Sequence, residues 1–490
     1  MKLFTSQQTK ELDALTIERE PISSFNLMQR ASQRLADAMK PYLNGKIAVA
    51  AGNGNNGGDA LIVAHILLSQ GYDVDVFLFN GHRKSADCQT ALDLLSAKFS
   101  FQIKEINHLG ETKYDSLIDG LFGTGLNRPL EGAYADAVDL INQSGATVLA
   151  IDTPSGLFGE DNSLNDRSHI VKATATFTIG TPKIAFFFRE NHTYVGDWKV
   201  IDINHDKSAI ASIETPYHFT TGQEAESWLI KRDKFSHKGT FGHALLIAGS
   251  QGMMGAAQLA TKAALRAGCG LLTAHIPLCG YQIMQIAVPE AIVSIDEDES
   301  CFSKVPSNLE KYNAIGIGPG LGRNARSAEA LRSLLQQTQT PMLLDADALN
   351  ILSENKDLFN LIPPQSILTP HPKEFERLAG KCDSCYEQIQ RQREISNKHH
   401  LIILLKGAHT SIGLPDGSIH FNSTGNPCLA TAGSGDVLSG IILSLLAQGY
   451  EPSIAARLGA YLHGKAADRY AKETHRPCML ASDITEWIYR

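Results

Sequence analysis

Short apolar runs alternate with amphipathic stretches along this chain from Lys46 onward. Residues 47–51, 74–79, 116–118, 148–151 and 175–179 are apolar runs that read as strands, whereas 60–69 and 135–141 carry apolar residues at helical spacing. The alternation resumes at 244–248 and continues through 271–276, 314–317, 342–344, 366–368 and 401–405, again with helical stretches between. Such a pattern predicts mostly parallel sheets covered on both faces by helices. A polar, poorly periodic stretch from about 206 to 235 separates the two series and marks the domain junction. The predicted fold class is therefore α/β with two doubly wound domains, over 1–210 and 225–490, joined by a linker at 211–224. Ligands of such sheets sit beyond the carboxyl ends of the strands, and most of the glycine-rich segments fall there.

Composition narrows the function classes. With 490 residues, 43% hydrophobic and 20% charged, the chain can bury more than one core. A formal net charge of −8 argues against a nucleic-acid binder that relies on a broad basic surface. No apolar run is long enough to span a bilayer and the N-terminus shows no secretory apolar region, so a cytoplasmic protein with no membrane partner is expected. The 8 cysteines are scattered, which fits a reducing compartment. Cys382 and Cys385 form a lone C-x-x-C and read as two ordinary thiols near a helix.

Three strand-end loops carry chemistry in the first half. Gly52-Asn53-Gly54-Asn55-Asn56-Gly57 matches the dinucleotide-binding pattern G-x-G-x-x-G, with Asp73 and Asp75 near the next strand. The three asparagines, followed by Gly58 and Asp59, also suit polar recognition or a hard cation, and Asn tolerates left-handed turns for purely local reasons. Asp119-Gly120-Leu121-Phe122-Gly123-Thr124-Gly125 and Asp152-Thr153-Pro154-Ser155-Gly156 each set an Asp at a strand end beside glycines. Any one such Asp is commonly a cap or turn residue; three loops in one domain point to a site.

The second half has no P-loop. Its signal is Ala432-Gly433-Ser434-Gly435-Asp436 ahead of the apolar helical stretch 437–446. Small residues let the backbone approach a ligand, the helix start offers free N–H groups to an anion, and Asp436 is placed to take a proton from an attacking hydroxyl. An ordinary capped helix would look similar. Around it stand His237-Lys238-Gly239-Thr240-Phe241-Gly242, Gly249 to Ala256, Gly318-Pro319-Gly320-Leu321-Gly322, Thr369 to Phe375 and Lys406-Gly407-Ala408-His409-Thr410. Together they describe a cleft with an anion-binding helix end, a base and a cation.

These residues resemble a known family. The segments 55–59, 119–125 and 152–156, with Leu27-Met28-Gln29-Arg30-Ala31, look like the epimerase domain of NAD(P)H-hydrate repair enzymes. Ser32 stands where glycine is more usual, a departure expected to touch packing rather than chemistry. The resemblance implies a Rossmann-like domain that interconverts R- and S-NAD(P)H-hydrate, NADHX and NADPHX. It implies potassium held by Asn56, Asp119 and Ser155, with Asp152 as acid–base group. Substrate contacts would come from Asn55, Asn56, Gly57, Gly58, Asp59, the loop Gly123, Thr124, Gly125, Leu126, Asn127, Arg128 and Pro129, and Asp152. The second half resembles the ribokinase-like superfamily and, within it, NAD(P)H-hydrate dehydratases, over nearly all of 225–490. That implies phosphorylation of the S-hydrate hydroxyl by ADP or ATP with Mg2+ assisting, ADP being expected as donor, and then loss of phosphate. Asp436 would be the base; Gly433, Ser434 and Gly435 would hold the phosphoryl group. Lys406, Gly407, Ala408, His409 and Thr410 would contact the nucleotide, and Ala256 (or neighbouring Gly255), Gly322, His371 and Asp436 the hydrated cofactor. A homo-oligomer is expected. Rival readings are a small-alcohol or vitamin-precursor kinase, a binding scaffold built on the first half, and a dehydrogenase.

Overall fold

A computed structural model describes residues 1–79 and 83–489, which divide into two units. The unit over 2–215 is built on seven strands: β1 (Ile47–Ala51), β2 (Val74–Leu78), β3 (Ile103–Glu105), β4 (Ser116–Gly120), β5 (Thr147–Ile151), β6 (Ala175–Ile179) and β7 (Asp197–Ile201). They lie in the order β3-β2-β1-β4-β5-β6-β7, every pair parallel. Strands β1, β2 and β4 are buried at every position, as expected of a parallel sheet covered on both faces. Helices Ser24–Met39 and Asn55–Ser69 pack Leu35, Met39, Leu61 and Leu67 onto the sheet's core. The strand order reverses between β1 and β4, so the crevice of this sheet opens where Gly52 and Leu121 leave it.

The second unit, essentially 216–490, holds β8 (Tyr217–Thr220), β9 (His243–Ile247), β10 (Leu271–Ile276), β11 (Ile292–Ile295), β12 (Ala314–Ile317), β13 (Met342–Leu344), β14 (Ile367–Leu368), β15 (Ile402–Leu405), β16 (Ser411–Gly413) and β17 (Ile419–Asn422). Their order is β11-β10-β9-β12-β13-β14-β15-β16-β17-β8. The pairs from β11 to β15 are parallel, β16 is antiparallel to both neighbours, and β8 runs parallel to β17. Here the reversal falls between β9 and β12. The core of this unit rests on helix Ser434–Ala447, where 12 residues including Val437, Ile441 and Leu445 are buried, packed on Met254–Ala267.

Residues 211–224 are not a linker: β8 lies inside them and is hydrogen-bonded in register to β17, Tyr217 opposite Ile419. The segment lacks an apolar run because β8 is a four-residue strand whose middle residues, His218 and Phe219, are only half-buried.

Candidate active sites

In the first unit the chain turns from β1 into helix Asn55–Ser69 with Gly54 as N-cap, so Asn55, Asn56, Gly57 and Gly58 form the helix's first turn. The free N–H groups of that turn face the crevice. Gly57 and Gly58 are there for close packing: a Cβ on Gly57 would lie 2.0 Å from the Gly52 carbonyl oxygen, and one on Gly58 would lie 2.7 Å from the Met28 methyl carbon. A cleft of about 910 Å³ opens over the strand ends, within the range of small-molecule sites. Asn55, Asn56, Asp59, the whole loop 123–129 and Asp152 border it, whereas Gly57 and Gly58 do not.

Asp119, the fourth residue of β4, is wholly buried beneath the cleft. Its carboxylate accepts the Ser155 hydroxyl at 2.6 Å, the Ser155 N–H at 2.8 Å and the Leu121 N–H at 3.2 Å. Burial nevertheless raises it to about 6, and among the described residues no cation pairs with it. Asp152 takes a left-handed backbone, φ +63°, beyond β5, a conformation that costs a non-glycine residue strain and sits here at the cleft wall. Its Oδ1 accepts the Ile179 N–H at 3.1 Å and lies 2.8 Å from Lys183 Nζ, itself 2% exposed. Gly123 keeps this corner open, since a Cβ there would lie 3.2 Å from Asn56 Oδ1 and 3.3 Å from Asp152 Oδ2. Asp59 is buried and pushed well above the carboxylate range by desolvation. The Ser32 hydroxyl donates to it at 3.0 Å, so Ser32 touches site chemistry as well as packing.

Lys183 went unread in the sequence. Its signal was Gly180-Thr181-Pro182-Lys183 directly after β6: a lysine next to a strand end is held by a carboxylate or by carbonyls, and this one has Asp152 together with the Ile179 and Thr181 carbonyls.

In the second unit helix Ser434–Ala447 starts at N-cap Gly433, φ +86°, which makes Asp436 the third residue of its first turn. Burial, reinforced by Asp345, raises Asp436 to about 6, with Lys406 acting against that rise. Lys406 pairs with Asp345 Oδ1 at 2.7 Å and the Ser439 hydroxyl donates to Asp345 Oδ2 at 2.5 Å. A Cβ on Gly435 would lie 3.4 Å from Lys406 Nζ, so the ammonium stands against the helix's opening turn. Buried His463 reaches Ser434 from behind, its Nε2 3.0 Å from the carbonyl oxygen; burial lowers this imidazole to about 4 and keeps it neutral.

The glycine loops join the same place. Gly322 donates its N–H to Asp347 at 2.9 Å, and Ser250 donates its hydroxyl to the Gly320 carbonyl at 2.8 Å. A Cβ on Gly320 would lie 3.0 Å from that of Ala256. The structure thus brings Ala256, Gly322, Lys406, Gly433, Ser434, Gly435 and Asp436 into one connected set through Asp345 and Asp347, two residues missed in the sequence although each follows β13 closely. His371 caps helix Pro372–Ala379, its Nδ1 accepting the Lys373 and Glu374 N–H groups, while its Nε2 lies 3.5 Å from Glu374 Oε1. Gly407 and Thr410 bond to each other across the turn between β15 and β16, with Ala408 exposed at its tip. Among the described residues no group of three His, Cys, Asp or Glu side chains is spaced to hold a metal ion, and no helix is long and apolar enough to cross a membrane.

Comparison with known proteins follows the same division. A family model for NAD(P)H-hydrate dehydratase matches residues 244–490, and one for the YjeF-related protein N-terminus matches 24–185. The bifunctional NAD(P)H-hydrate repair enzyme Nnr of Moorella thermoacetica is 34% identical over 515 residues, spanning 100% of this chain and 96% of that protein. Its counterpart in Thermofilum pendens is 32% identical over 499 residues, 96% of this chain and 93% of that protein. A ribokinase-like superfamily protein of Enterococcus faecalis superposes with a TM-score of 0.50 at 30% identity, over 56% of this chain and 95% of its own. Two sheets, each with a strand-order reversal, and similarity that runs nearly end to end through both place this chain in the family of bifunctional NAD(P)H-hydrate repair enzymes.

Proposed function

We propose a division of labour for this chain, which is both an isomerase and a lyase acting on hydrated nicotinamide cofactors. The domain over 2–215 epimerises R- and S-NAD(P)H-hydrate, and the domain over 216–490 dehydrates the S form at the expense of a nucleotide. The observation that carries the second half is Asp436 in the opening turn of a helix, whose first N–H groups are free to bind an anion, beside the Lys406–Asp345 pair.

In the dehydratase cleft, Asp436 takes the proton of the substrate hydroxyl as its oxygen attacks the terminal phosphoryl group. A base raised to about 6 is ionised at neutral pH yet still basic enough to accept that proton. The N–H groups of the first turn and the Lys406 ammonium offset the charge that builds on the phosphoryl oxygens. The ring nitrogen's lone pair then expels phosphate, a far better leaving group than hydroxide, and loss of a proton from the adjacent ring carbon to solvent or phosphate returns the pair to nitrogen and leaves the C=C bond of the reduced nicotinamide. Lys406 to Thr410 hold the nucleotide, Ala256, Gly322 and His371 the hydrated cofactor, and ADP is the donor to be tested against ATP. Among the described residues no side-chain cluster is spaced to hold the implied magnesium, and both Asp345 oxygens are engaged by Lys406 and Ser439. A divalent ion would reach the cleft on the nucleotide's phosphates.

In the epimerase cleft, Asp152 exchanges the proton, with the Lys183 ammonium 2.8 Å away fixing its position. Potassium suits Asn56, Asp119 and Ser155: a buried carboxylate lacks a cation, and the buried Asn56 Nδ2 has no partner, leaving its amide free to turn its oxygen inward. A bound monovalent cation would supply fixed positive charge there.

The test incubates the full chain with mixed R- and S-NADH-hydrate and magnesium, with ADP or ATP in parallel, and follows the return of reduced-nicotinamide absorbance. Complete conversion that Asp436→Ala abolishes and Asp152→Asn limits to the S fraction supports both assignments. No recovery with either nucleotide would give the cleft to a small-molecule kinase instead.

A further inference from the structure

Inverting one hydroxyl-bearing carbon needs acid–base chemistry on both faces of the ring. The departing hydroxyl must gain a proton on one side, and the incoming water must lose one on the other. Asp152 can serve only one face at a time. The N-terminal cleft holds a second carboxylate with a buried partner of its own. Asp13, on helix Ser6–Arg19, borders the cleft with its side chain 43% exposed, and its Oδ1 lies 2.9 Å from Nε2 of His205, which is 5% exposed. The imidazole is backed by Gly180, where a Cβ would lie 2.6 Å from its Cε1.

Asp152 and the partner of Asp13 follow different strands of the sheet. Asp152 leaves the end of β5 and His205 follows β7, with β6 between them. The strands that lead to Asp152 and to His205 are thus two spacings apart, roughly 10 Å. Ile179, the last residue of β6, donates its N–H to Asp152, and the next residue, Gly180, backs His205.

Resting on the epimerase reading of this cleft, we propose that Asp13, held by His205, is the second acid–base group and serves the ring face opposite to Asp152. In one direction Asp152 protonates the hydroxyl and the C–O bond breaks, its electron pair leaving with water while the ring nitrogen's lone pair closes a C=N bond. A solvent water adds from the other face, the nitrogen regains its pair, and Asp13 takes the water's proton. The reverse reaction exchanges the two roles, and solvent restores both carboxyls.

The experiment uses the full chain without nucleotide and separated R- and S-NADH-hydrate in 18O-water, reading epimer composition by chromatography and oxygen content by mass spectrometry, each corrected for the rate in buffer. Wild-type protein labels both epimers at the rate of their interconversion. Asp13→Asn lowers interconversion at least ~100-fold yet leaves one epimer still exchanging its oxygen, since Asp152 can expel and re-add water on its own face. Asp152→Asn leaves exchange in the other epimer only. His205→Leu reproduces the one-epimer pattern of Asp13→Asn, and His205→Gln, whose amide can still donate to Asp13, restores interconversion. Equal loss of exchange in both epimers for Asp13→Asn, or interconversion within about twofold of wild type, overturns the proposal. Wild-type protein that neither interconverts nor exchanges would overturn the epimerase reading itself, a distinct result.

Discussion

Asp436 and Asp119 are each raised to about 6 by burial, from 3.8 for an unperturbed aspartate. A carboxyl whose folded value exceeds its unfolded one stabilises the fold when protonated. That contribution is complete below about pH 4 and lost as pH rises through about 6, so both charges oppose folding at neutral pH, by on the order of 3 kcal/mol each in the absence of ligand. Asp436→Asn is therefore expected to abolish dehydration while raising stability at pH 8 by about 1–3 kcal/mol, with the gain vanishing near pH 4; thermal melts across that range check it. Dehydration by the wild-type chain should fall about tenfold per pH unit below about 6, as the base protonates, a slope that kcat/KM profiles would reveal. For Asp119, replacing sodium with potassium should raise the melting midpoint of wild-type protein and leave Asp119→Asn unmoved. At this scale the sequence exposed residues in glycine-rich company, such as Asp119, Asp152 and Asp436. It hid Lys183, Asp345 and His463, whose roles come from partners far along the chain, such as Asp345 with Lys406 and His463 with Ser434.

Among the elements, the long parallel strands were legible because burial on both faces makes them unbroken apolar runs, as in β1 and β9. The strands that escaped are short or sit at edges: β3 is three residues with none buried, β11 has Ile292 and Ile295 exposed, and β16 has three residues. Helix starts were misplaced for a related reason. Asn55 to Gly58 and Ser434 to Asp436 look like loop by composition, yet their small residues are what let the opening turns pack. The glycine at the end of β12 makes the same point in energetic form. Gly318 has φ +133°, and a Cβ there would lie 1.8 Å from the Asp345 carbonyl oxygen. Gly318→Ala should cost about 2–4 kcal/mol and pull Asp345 from Lys406. Denaturant melts would register the loss, and dehydration should fail while epimerisation persists.

Across the whole molecule, both sheets share one plan: β3-β2-β1-β4-β5-β6-β7 in the first unit is repeated as β11-β10-β9-β12-β13-β14-β15 in the second. The alternating pattern therefore predicted two crevices of one kind, although the extension through β16, β17 and β8 gave no such signal. That extension sets where the chain can be divided. A fragment beginning at 244, where the dehydratase family model begins, lacks β8 and bares the edge of β17. It should self-associate, whereas a fragment beginning at 216 should not; size-exclusion chromatography with light scattering distinguishes them.

Strand β8 also imposes a timetable. Tyr217 leaves the ribosome about 200 residues before its partner Ile419, and the cost of closing so long a loop is met only once that partner exists. While the rest of the second sheet is still being translated, four residues that will seal its margin must stay unpaired. Slow stretches of translation late in the message, rather than early, would thus lengthen the interval in which this protein is open to mispairing.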